Sequence, residues 1–88
     1  MSLQKIAYQT TIIETNEVHD LMADDVIDMM HVLMFNMHLT ESVHGRPLVL
    51  HSQFVNPITD ELTINVNWGD DNTAYLKVVA NKIPDLVN

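Results

Sequence analysis

The stretch Glu17–Leu39, EVHDLMADDVIDMMHVLMFNMHL, decides how this chain is read. Placed on a helix at about 100° per residue, Asp20, Asp24, Asp28, His31 and His38, with Glu17 at the start, fall within an arc of roughly 80°. The remaining arc carries Leu21, Met22, Ala23, Val26, Ile27, Met29, Met30, Val32, Leu33, Met34, Met37 and Leu39. That apolar sector exceeds half the circumference, more than one sheet face ordinarily absorbs, and it calls for a second partner. Asp25 and Asn36 interrupt the apolar sector and Phe35 interrupts the polar stripe, so contacts there depart from a simple two-faced helix. Thr15 or Asn16 can cap the start while Glu17 and Asp20 complement its positive end. Gly45 can take the left-handed cap conformation and Pro47 forbids continuation, placing the last turn between Leu39 and His44.

Outward from this helix the chain reads as strands. Ile6, Tyr8, Thr10 and Ile12 alternate with Ala7, Gln9 and Thr11 in a first strand within Leu3–Ile13. Beyond Pro47, Leu48, Leu50, Ser52 and Phe54 alternate with Val49, His51, Gln53 and Val55. Leu62, Ile64, Val66 and Trp68 set a buried face against Thr63, Asn65 and Asn67. After the reversal at Gly69-Asp70-Asp71-Asn72, the strand Thr73–Ala80 returns with Leu76, Val78 and Ala80 on one face. The last three strands form a meander, and the tail Lys82–Asn88 is too short to be an element of its own. The expected fold is α+β, a two-layer sandwich of order β-α-β-β-β, with one long helix on a mainly antiparallel four-stranded sheet. Met1-Ser2-Leu3 has the look of an added leader.

Eighty-eight residues make one domain, near the size where a single core is marginal and self-association helps. Twelve acidic residues against four Lys plus Arg leave a net charge of -8, which repels nucleic-acid phosphate and anionic membrane surfaces. With no cysteine, disulfides and thiolate metal sites are excluded. No basic leader with an apolar core and no membrane-spanning apolar run is present, which points to a cytoplasmic protein.

Three constellations are candidates for function. Asp24, Asp28 and His31 have the spacing that brings carboxylate and imidazole onto one helix face, as a divalent cation needs. A solvated helix face uses the same residue types and no metalloprotease-like signature is present, so no metal is assigned. With Phe35, His38, Met30 and Met34, these residues are read instead as an interaction surface, methionine being the adaptable apolar residue of such surfaces. His44, Arg46 and His51 form the alternative, a small-ligand or catalytic region in which the arginine would grip a carboxylate or phosphate. Ser2, Ser42 and Ser52 lack any nucleophile setting, and two glycines cannot build a phosphate loop. Neither catalytic residues nor a cofactor are assigned. The expectation is a small acidic interaction protein, a homodimer that regulates or inhibits a protein partner, with nucleic-acid mimicry as a subclass.

Overall fold

A computed structural model describes residues 5–82. Strands β1 (Ile6–Ile12) and β2 (Glu17–Ala23) precede the helix α1 (Val26–His44). Strands β3 (Leu48–Val55), β4 (Leu62–Trp68) and β5 (Ala74–Lys82) follow it. The sheet is antiparallel throughout, in the order β2-β1-β5-β4-β3, and the helix packs on one face. The α+β class and the three-strand meander agree with expectation, and the first strand joins the meander at β5. Residues 1–4 and the tail 83–88 lie outside the described residues.

The strand count and order differ from the expected four-stranded β-α-β-β-β, because Glu17–Ala23 is a strand and not the start of the helix. Asn16 is the closing residue of a hairpin and not a helix cap. It adopts a left-handed φ of 59° and its N–H donates to the Ile12 carbonyl at 2.8 Å. Asn is among the few residues that take this conformation readily. From there β2 pairs with β1 over its whole length, Ile12 opposite Glu17 and Ile6 opposite Ala23. Leu21-Met22-Ala23 is a continuous apolar run that fits a period of 3.6 as well as a period of two, so periodicity alone cannot separate helix from strand there.

The true helix start is Asp25, extended in backbone, whose Oδ1 accepts from the Asp28 N–H at 2.7 Å. Asp28 Oδ2 accepts in return from the Asp24 N–H at 3.4 Å, a reciprocal arrangement of the capping-box type. At the other end Gly45, with φ 64°, donates to the Glu41 carbonyl, so α1 stops within the expected interval. The Glu41 carboxylate then accepts from the Leu48 N–H at 2.8 Å and ties the last turn to the first residue of β3.

The ladder register sets the path of the helix. Ala23, Ile6 and Lys82 lie at one end of the sheet, with Leu62 and Val55 continuing that end on β4 and β3. Glu17, Ile12, Leu76, Trp68 and Leu48 mark the opposite end. The helix leaves β2, an outer strand, at the first end and enters β3, the other outer strand, at the second. It therefore crosses the sheet from corner to corner. Its buried seam is the single file Met29, Leu33 and Met37, clustered with Ile6, Tyr8, Ile64, Val66, Val78 and Trp68. A five-stranded sheet is about 20 Å wide between its outer backbones. A helix is about 10 Å across, so two opposite corners stay uncovered.

Two irregularities alter the expected faces. The β3–β4 register shifts between Leu50 and Ser52. His51 is the extra residue, and beyond it Gln53 and Val55 replace Ser52 and Phe54 on the side of Leu48 and Leu50, because one inserted residue inverts the alternation. A second shift, between Val66 and Asn67, leaves Tyr75 as the extra residue of β5. Asn67, expected on the wet face, is buried and donates to the Asn72 carbonyl and side chain, pinning the β4–β5 turn.

Ile64 and Val66 are fully buried. Replacing either with Ala is expected to cost about 2–4 kcal/mol in urea denaturation, through lost burial and an unfilled cavity. Asn65→Ala, which loses only an exposed hydrogen bond to Ser52, should cost no more than about 1 kcal/mol.

Candidate functional site

The outward half of α1 is the most unusual surface of the molecule. Ile27 (68%), Phe35 (64%) and Val43 (82%) are largely exposed, with Val26, Leu39 and Met34 exposed beside them. Since Met29, Leu33 and Met37 fill the inner seam, α1 carries apolar side chains on its inner and outer sides alike. A helix of that kind is normally covered on every side. His31 and His38 lie along the middle of this outer half with Phe35 between them, while His38 Nδ1 stands 3.3 Å from Glu41 Oε1. Met34 is on the exposed side and Met30 is half-buried against the core, so the two methionines assigned to the surface are divided between it and the interior.

The acidic stripe does not persist as one helical row. Asp20 sits on β2 and accepts a hydrogen bond from Gln9 Nε2 at 2.9 Å. Asp24 belongs to the connection before the helix, and Asp28 is engaged in the cap. Of the expected stripe, Asp28, His31, Phe35 and His38 share α1. Among the described residues, no three His, Asp or Glu side chains lie close enough together to hold a metal ion.

His44 and Arg46 are brought together by Trp68. The His44 and indole rings are 5.4 Å apart, and the Arg46 guanidinium stacks over the indole at 4.1 Å. Arg46 grips Asp70 through Nε and Nη2, at 2.9 and 2.8 Å, and reaches Asp71 at 3.2 Å. Its fork is thus already filled by carboxylates of the β4–β5 turn. Hydrogen bonding from Arg46 holds the Asp70 carboxyl below the usual carboxylate range. Asp71 is lowered chiefly by its hydrogen bonds from Thr73. His51 is apart from this cluster, exposed at the β3 bulge.

Beneath the helix, over the uncovered corner at the β1–β2 side, lies an open cleft of about 330 Å³. Its floor is Ile12, Leu21, Leu76 and Val78 from the sheet, and Val32, Leu33 and Met37 form the helix wall. Thr10 and His19, a cross-strand pair, face it from the sheet, and Asn36 and Thr40 face it from α1. Tyr8 lies at its deep side, where burial, and then the nearby Asp28 charge, raise its phenol above the ordinary value. Sequence reading did not find this site, because it placed His19 and Leu21 on the helix. Its one visible signal was Asn36, a polar residue inside the apolar sector.

No family model, curated protein or solved structure matches this chain. Among the described residues, no helix is long and apolar enough to cross a membrane.

The Arg46 cluster yields a pH dependence. Asp70 and Asp71 have folded values below their unfolded ones, so their contribution is fully present above the unfolded carboxylate value, about 4, and is lost as pH falls further. Asp70→Asn should therefore lower the melting temperature at neutral pH, and the gap from wild type should narrow as the solution is acidified below that value. A gap that is constant across the acid range would show that the ion pair contributes nothing.

Proposed function

We propose that this protein is a small acidic interaction module that acts by contact and not by turnover, pairing with a second copy through the outer half of α1. The observation that carries this reading is the set of exposed apolar residues Ile27, Met34, Phe35 and Leu39 on a helix whose inner seam is already satisfied. Phe35, central and aromatic, is the natural anchor, since aromatic residues in the middle of a patch dominate binding energy.

The charge of -8, with the lone arginine paired internally, leaves the surface predominantly acidic, which suits engagement of a basic protein partner. Regulation or inhibition of such a partner would follow from occupying its surface. The carboxylates Asp20, Asp24 and Asp28 are distributed over a strand, a connection and a helix cap. This spread supports general electrostatic attraction more than imitation of a regular phosphate row. Cytoplasmic residence belongs to the same proposal.

Sedimentation or light scattering at micromolar concentrations should report a dimer. Phe35→Ser and Ile27→Ser should shift it to monomer with an unchanged circular dichroism spectrum, because both side chains are exposed in the single chain. A wild type that stays monomeric throughout, or a dimer indifferent to both substitutions, would remove the support for this reading.

A further inference from the structure

We propose that the cleft between α1 and the β1–β2 corner of the sheet binds a small, uncharged, ring-bearing apolar molecule with one or two hydrogen-bonding groups. The cleft exists because the helix runs corner to corner and leaves part of the apolar sheet face bare. Its volume of about 330 Å³ lies at the lower end of the range of small-molecule sites. This suits a molecule of two or three rings and is too little for an inserted helix.

The lining defines the chemistry of the occupant. Ile12, Leu21, Leu76, Val78, Leu33 and Met37 present an apolar floor and back wall, which favours flat or compact hydrocarbon. Polar groups stand in two facing pairs. Thr10 and His19 are opposite each other in the β1–β2 register, and Asn36 and Thr40 are one turn apart on α1. None of the side chains of Thr10, Asn36 and Thr40 is hydrogen-bonded to another described residue, so donors and acceptors remain available to a ligand on both walls. Among the described residues, no lysine or arginine lines the cleft. Glu17 lies against His19, with Oε2 at 3.6 Å from Nε2, so an anion entering here meets a carboxylate without a fixed counter-charge. A neutral ligand is selected on that ground.

This inference is independent of the pairing surface, because Phe35 points away from the sheet whereas Val32 and Asn36 turn toward the cleft. The experiment is a fluorescence titration of the full chain with neutral phenylnaphthylamine and with its sulfonated analogue, anilinonaphthalene sulfonate, which share a ring body and differ in charge. Saturable one-to-one binding of the neutral dye is expected, with the sulfonate at least about tenfold weaker, a difference of about 1.4 kcal/mol. Val32→Trp should fill the mouth from the helix side and weaken the neutral dye at least about tenfold. Leu21→Trp should do the same from the strand side, and it serves where the first variant alters the melting curve. Phe35→Ser should leave dye binding unchanged. The inference is overturned by absence of saturable binding, by equal affinity for the two dyes, by indifference to both filling variants, or by loss of binding in Phe35→Ser, which would place the dye on the outer helix face.

Discussion

The structure depends on one mismatch of dimensions: a single helix must seal an antiparallel sheet about twice its own width. The only residues of α1 that reach full burial are the i, i+4, i+8 file of Met29, Leu33 and Met37. They settle over the middle strands, where Ile64, Val66 and Val78 are the most buried side chains of the sheet. Everything beside that seam is only partly covered. The exposed apolar flanks, the open cleft and the bare corner near Val55 are three consequences of the same geometry.

Anchors at the two ends of α1 keep the helix on its diagonal. At its start the Asp25–Asp28 cap faces the end of β2, and at its end Glu41 grips the Leu48 N–H while Gly45 turns the chain. Trp68 stiffens this second corner. It packs between Tyr75 and His44, carries Arg46 on its face and donates through Nε1 to Glu14 at 3.2 Å. The sole arginine is thereby tied to Trp68, Asp70 and Asp71 at this corner.

The functional surfaces follow from where the diagonal leaves apolar groups in water. The outer half of α1 is convex and offers an aromatic anchor between two histidines, a shape suited to another protein surface. The cleft is concave and carries its polar groups in opposed pairs, a shape suited to a small molecule. The helix is the shared wall: Phe35 is exposed on its outer side, while Val32, Leu33 and Met37 line the cleft.

Much of this was legible in the residues themselves. Period-two alternation located β1, β4 and β5 and the inward set Leu76, Val78 and Ala80. Gly45 with Pro47 marked the helix end, and the wide apolar arc matches the exposed apolar side chains of α1 among the described residues. Those features are local or additive, so a linear reading reaches them. The conversion of Glu17–Ala23 into a strand was not legible, because Leu21-Met22-Ala23 satisfies both periods and the choice is made by pairing with β1, whose own pairing with β5 is non-local. The bulges at His51 and Tyr75, the commitment of Arg46 and the cleft lined by His19 and Asn36 were decided only by the tertiary structure. Each depends on which strand lies beside which, and on the path of a helix too narrow for its sheet.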